Sequence, residues 1–291
     1  MSVKISREIL TAVPVAFHKD GRLDVEGSRQ ILKNVASSGV DAAFILGTTG
    51  EFPSLSFEER GAITRLAIEE TADMRLVVHV GAASTYQVLQ LLEQCKALGV
   101  TEVAVITPYY LPATDQALID FYRDVSDASE GITVYLYLFR ERTGNFVTES
   151  LLTELAKLPN IKGAKISGET LEQVARYRAA VPADFVLYTG EDRSYALAHD
   201  FGAQGVVSGV ASVFPKPFVQ MAAALESGSK EEITRLQASI DDAVGVLIGD
   251  MARMKVALGM QGIQGGYPRM SIEAPSKEIV AELQRAVGLY A

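Results

Sequence analysis

Chemistry in this chain starts from the stretch Asn160–Gly168, Asn-Ile-Lys-Gly-Ala-Lys-Ile-Ser-Gly. In an extended strand Ile161, Gly163 and Lys165 share one face, and Lys162 and Ala164 share the other. Lys165 then stands at the carboxyl end of a short apolar strand, just before a Ser-Gly-Glu-Thr turn. An ammonium there is costly to desolvate, and a desolvated lysine is what Schiff-base chemistry on a carbonyl substrate requires. The plainer reading is a lysine that opens a loop and reaches for water.

Other reactive side chains fall after further apolar runs. Gly47-Thr48-Thr49-Gly50-Glu51 offers two hydroxyls and free backbone amides between glycines. It is either an ordinary tight turn or a place to hold a carboxylate and relay a proton. Thr107-Pro108-Tyr109-Tyr110 brings paired tyrosines, which at a loop more often pack than react. Tyr135-Leu136-Tyr137-Leu138 puts Tyr137 on the face of Tyr135, where a phenol can shuttle protons to a neighbouring amine. Arg142 follows, suited to forking a carboxylate. Gly190-Glu191-Asp192 reads as a helix cap supplied by Asp192.

Something must carry these groups to one place, and the pattern says what. Apolar runs at Leu10–Phe17, Asp41–Gly47, Arg75–Val80, Val103–Thr107, Ile132–Leu138, Ile161–Lys165, Phe185–Tyr188 and Gly205–Ser208 alternate with segments of helical period. Ser56 with Glu59 is a capping box, and Ser84 with Gln87 and Thr170 with Gln173 open helices in the same way. Eight such units predict an α/β fold, a (β/α)8 barrel, with the doubly wound open sheet as the alternative. No Gly-x-Gly-x-x-Gly turn follows the first run, which favours the barrel. Chemistry in such a barrel sits where strands end, and that is where the residues above fall. From about Ala222 the pattern is helical only, with a further capping box expected at Ser229 and Glu232 and helical periodicity over 240–258 and 277–287. The expected division is a catalytic barrel over residues 1–221 and a helical appendage over 222–291 packed on it.

Composition narrows the classes. A formal charge of −9 without any basic run argues against nucleic acid. The single cysteine, Cys95, excludes an internal disulfide and suits the cytoplasm. His18, His79 and His199 lack metal-ligand spacing. The start of the chain lacks the cleavage site of a signal peptide, and no apolar segment reaches the roughly 18 residues that span a bilayer.

The set Gly47–Glu51, Thr107–Tyr110, Leu136-Tyr137 and Ile161-Lys162-Gly163-Ala164-Lys165, in this order, resembles the dihydrodipicolinate synthase/N-acetylneuraminate lyase family along the whole chain. The resemblance implies a class I aldolase that binds pyruvate or another 2-oxo acid covalently, with no metal or other cofactor. Lys165 looks like the Schiff-base lysine and Tyr137 like the proton-passing tyrosine. Thr48 and Thr49 look like the pair that holds the keto-acid carboxylate, with Thr49 also in the proton relay. Tyr110 looks like the tyrosine lent across a tight dimer, and Val207 like the position whose backbone lines the pyruvate pocket. The resemblance further implies a homotetramer built as a dimer of dimers.

The departures concern the second substrate. Leu138 replaces the asparagine usual after the tyrosine, and Arg140-Glu141 the usual proline and serine. Ile166-Ser167-Gly168 follows the lysine without the acidic residue, alanine and threonine common in the synthases. Ile248-Gly249-Asp250-Met251 stands where the lysine-pathway synthases have Glu-Pro-Asn-Pro, and His79–Thr85 looks more like the sugar-acid lyases. Arg142, in contrast, resembles the synthase arginine. The expected activity is C–C cleavage or formation between pyruvate and an aldehyde, on a 2-oxo sugar acid. The alternatives are dihydrodipicolinate synthase, a dehydratase of deoxy-oxo sugar acids and a non-catalytic barrel that binds a 2-oxo acid.

Overall fold

Among the described residues, eight of the helices start at a side-chain cap. Asp24, Ser56, Ser84, Thr114, Thr148, Thr170, Asp250 and Ser276 each accept a hydrogen bond from a backbone N–H of the first turn they precede. At Ser56 the box is complete, since Glu59 reaches back to the cap backbone. The computed structural model describes residues 7–291.

The strands are β1 (Glu8–Ala12), β2 (Ala42–Ile45), β3 (Arg75–His79), β4 (Glu102–Ile106), β5 (Thr133–Leu138), β6 (Ile161–Ile166), β7 (Val186–Thr189) and β8 (Gly205–Ser208). They hydrogen-bond in sequence order into a closed barrel, as predicted. The pairings are parallel, with Tyr137 beside Lys165 and Lys165 beside Tyr188. The helices are α1 (Val25–Ala36), α2 (Phe57–Glu70), α3 (Thr85–Ala97), α4 (Asp115–Ala128), α5 (Arg140–Thr143), α6 (Glu149–Leu155), α7 (Leu171–Ala180), α8 (Tyr195–Ala198), α9 (Pro215–Ser227), α10 (Lys230–Leu247), α11 (Met251–Met260) and α12 (Lys277–Tyr290).

Contacts group Val77–Val207 in one unit, and Glu8–Leu76 with Ser208–Ala291 in another. In the first, β4 to β7 carry near-continuous buried residues, as strands covered on both faces do. In the second, β1 pairs with β2, α1 packs on α2, and α9 to α12 pack among themselves.

Several local expectations change. The first apolar run is a shorter strand, because Pro14 cannot donate to a ladder. Ser229 precedes α10 but makes no side-chain cap, and Glu232 instead pairs with Arg235. The helical period over 240–258 breaks at Ile248 and Gly249, both with positive φ, and Asp250 caps a new helix. The cap after β7 is Glu191, which accepts from Arg193 N–H, and not Asp192. The helix expected there is α8 flanked by two short 3-10 turns.

Candidate functional site

In β6 the expected alternation holds. Lys162 is exposed, and Lys165 is 6% exposed at the strand's carboxyl end. Gly163 is forced by its neighbours: a Cβ there would lie 2.5 Å from the Val186 carbonyl oxygen and 2.8 Å from the Tyr135 ring. The same close approach brings β5 and β6 together and sets Tyr137 next to Lys165 in register. The Lys165 nitrogen stands 4.2 Å from the centroid of the Tyr137 ring, over its face.

Tyr137 is itself fixed. The ring of His79 meets it edge-on at 5.7 Å, and Phe139 stacks on it at 6.1 Å with 26° between the planes. His79 is fully buried, and its Nε2 accepts from the Ile106 N–H at 3.3 Å. Gly81 makes room for that ring, since a Cβ would lie 2.5 Å from His79 Nε2. A histidine held as an acceptor on one nitrogen carries its proton on the other. From sequence, His79 is only the first residue of the lyase-like segment His79–Thr85, with no role for its side chain. Its place at the end of β3, two residues from a glycine, is the signal that could have found it.

The loops after β4 and β5 are tied together. Thr107 donates to Thr143 Oγ1 at 2.9 Å, and both residues are buried. Asn145 donates to the Pro108 carbonyl at 2.7 Å and accepts from the Ala113 N–H at 2.8 Å. The loop after β4 exposes its tip: Tyr110 is 92% exposed, at a positive φ of 81°. A residue with a Cβ rarely adopts that region. Leu111 beside it and Tyr86 at the start of α3 are also exposed. Arg142 lies in α5, a turn the sequence had not suggested, and its guanidinium sits 5.7 Å from the centre of the Phe139 ring. The loops after β6 and β7 meet at Gly190, where a Cβ would collide with Ser167 Oγ. Val207 is buried in β8.

Within the other unit, Gly47–Glu51 forms a tight turn. The Gly47 carbonyl accepts from Gly50 and the Thr48 carbonyl from Glu51, leaving both threonines half-buried after β2. Gly50 is closely enclosed, since a Cβ would lie 3.2 Å from the Val13 carbonyl oxygen. The Thr49 hydroxyl packs close to Gly209, where a Cβ would come within 3.2 Å of it. Among the described residues no cluster of His, Cys, Asp and Glu is placed to hold a metal ion, and no helix is long and apolar enough to cross a membrane.

The family model of the dihydrodipicolinate synthetase family matches residues 5–288. The chain belongs to this family. It is 33% identical over 291 residues to a 4-hydroxy-tetrahydrodipicolinate synthase of Methylococcus capsulatus, covering 96% of this chain and 98% of that one. Among solved structures it superposes on a dihydrodipicolinate synthase of Thermotoga maritima with a TM-score of 0.89, at 27% identity and 98% coverage of both chains. It also matches an N-acetylneuraminate lyase of Mycoplasma synoviae with a TM-score of 0.89 at 24% identity, over 99% of each chain, a likeness of fold alone. Membership makes the protein a lyase of the class I aldolase type.

Proposed function

We propose that the protein makes or breaks the C–C bond between pyruvate and an aldehyde through an imine on Lys165, acting on a 2-oxo sugar acid. The observation that carries this is the buried Lys165 nitrogen at the end of β6, 4.2 Å over the ring of Tyr137. The Lys165 amine attacks the keto carbon, and loss of water leaves an iminium. In cleavage the C3–C4 bond breaks, its electron pair enters an enamine, and the aldehyde leaves. Protonation at C3 and hydrolysis then release pyruvate and restore the amine. In synthesis the enamine attacks the aldehyde carbon. The iminium is the electron sink, so the proposed reaction calls for no metal.

Tyr137 is the proposed proton carrier in carbinolamine formation and collapse. Thr48 and Thr49 are proposed to take the keto-acid carboxylate, with Thr49 in the proton relay, and the Val207 backbone to line the pyruvate pocket. Residues 1–221 are proposed as the catalytic barrel, 222–291 as its helical appendage, and the cytoplasm as the compartment. The test is a panel of 2-oxo sugar acids, and of pyruvate with aldehydes, followed by pyruvate release or consumption. Pyruvate release from a sugar acid is expected. Turnover with aspartate semialdehyde alone would favour the lysine-pathway synthase, and no turnover with any member would reject the reading.

One observation favours the synthase as the second reading. Arg142 stands exposed on α5 with its guanidinium against the Phe139 ring, free to fork a carboxylate on an incoming aldehyde. Arg142→Ala is expected to raise KM roughly tenfold or more for aldehydes that carry a distal carboxylate, the scale of a lost charge-assisted hydrogen bond. Aldehydes without one should be unaffected. Equal effects on both kinds would remove Arg142 from substrate binding.

The protein is proposed to assemble as a dimer of dimers that shares Tyr110. The exposed Tyr110, Leu111 and Tyr86, apolar side chains on the loop after β4 and at the start of α3, support this. Light scattering at micromolar concentration is expected to give a tetramer, and Tyr110→Asp to shift it toward smaller species with loss of turnover. A fully active monomer would contradict both assembly and sharing.

A further inference from the structure

Glu51 closes the turn that bears Thr48 and Thr49, and it does so in the left-handed region, at φ 53° and ψ 38°. A residue with a Cβ holds that conformation only where its surroundings impose it. The carboxylate is fully buried, and the C-terminal segment supplies its partners. Oε1 accepts from Lys255 Nζ at 2.5 Å, and Oε2 accepts from the backbone N–H groups of Arg269 at 2.8 Å and Met270 at 2.7 Å. Lys255, whose side chain is 1% exposed, also donates to the Tyr267 carbonyl and stands 4.6 Å over the Phe17 ring. Burial pushes its ammonium down from the ordinary lysine range, and Glu51 opposes that push. Arg269 extends the clamp, forking Glu59 and donating to the carbonyls of Ser54 and Gly21.

α11 reaches the same turn a second time. A Cβ at Gly209 would lie 3.2 Å from Met254 Cε and 3.2 Å from Thr49 Oγ1, so Met254 and the Thr49 hydroxyl flank one glycine. Adjacent residues of one helix therefore bracket the turn, Met254 beside Thr49 and Lys255 under Glu51. A buried ion pair adds little net stability over a well-packed apolar pair of the same size, because desolvation offsets attraction. Its directional bonds fix geometry.

We propose that Lys255 and Glu51 are positioning residues for the reaction: their buried pair couples the segment from α11 to Met270 to the Thr48-Thr49 turn and sets where those hydroxyls stand. This role rests on the reading in which Thr48 and Thr49 receive the keto-acid carboxylate. The helical C-terminal region thereby belongs to the substrate-binding machinery as well as to the fold.

Removing one charge strands the other, so Glu51→Gln or Lys255→Met alone can fail to fold. The informative protein is the double variant Glu51→Gln/Lys255→Met, which leaves no buried charge and retains an amide for the Arg269 and Met270 N–H groups. Imine formation is followed by borohydride trapping at Lys165 over a range of pyruvate concentrations, beside a thermal melt. The expected result is a folded double variant whose half-saturating pyruvate concentration rises about tenfold or more, while labelling at saturation matches wild type. A folded double variant with wild-type half-saturation would overturn the role and leave the pair purely structural. Wild-type protein that traps no pyruvate at Lys165 would instead strike the imine reading, and this role with it.

Discussion

Replacing Lys165 by alanine is expected to abolish turnover, with a loss of at least about a thousandfold, the scale seen when a covalent nucleophile is removed. The other lysine of β6 is not placed to substitute. Lys162 lies on the same strand but on its outer face and is exposed. The change removes a buried, costly amine from the end of β6 and leaves the ladder to β5 and β7 intact. A thermal melt close to wild type should therefore accompany the loss. Lys165→Arg should be equally inactive, since a guanidinium forms no imine with pyruvate. Residual turnover above about a tenth of wild type in either variant, measured as pyruvate release or consumption, would show that the lysine is not covalently engaged.

Tyr137→Phe is expected to reduce kcat roughly a hundredfold or more, the usual contribution of a positioned acid–base group. The substitution isolates the hydroxyl. His79 meets the ring edge-on and Phe139 stacks on it, and a phenyl ring keeps both contacts. Lys165 would still stand over the ring face. The loss should appear both in turnover and in the rate of imine formation, because carbinolamine collapse needs a proton carrier. A folded variant whose kcat stays within about threefold of wild type would remove the phenol from the relay.

Much of this arrangement was legible in the chain itself. Near-continuous apolar strands announced the barrel, and Ser56, Ser84 and Thr170 marked the starts of α2, α3 and α7, because both signals are local. The Ile161–Lys165 alternation placed the two lysines on opposite faces, and the fold agrees. What stayed hidden depends on distance along the chain or on one or two residues. The partner of Glu51 is Lys255, 204 positions away, and no period or spacing joins them. His79 enters the site only because Gly81 is small enough to admit its ring. α5 is a single turn following Phe139, too short for helical periodicity to register. Ser229 and Glu232 have the spacing of a capping box, yet Glu232 pairs with Arg235 one turn on. Spacing alone does not choose between such partners. Leu138, Arg140 and Glu141 depart from the family pattern, and Phe139 among them stacks directly on Tyr137.

Covalent chemistry at Lys165 can be read directly by trapping. The protein is incubated with pyruvate and borohydride, digested, and its peptides weighed and sequenced by mass spectrometry. The account requires one reduced pyruvate adduct, on the peptide that contains Asn160–Gly168 and located at Lys165. An adduct at Lys162, or no adduct with pyruvate or any other 2-oxo acid, would contradict it.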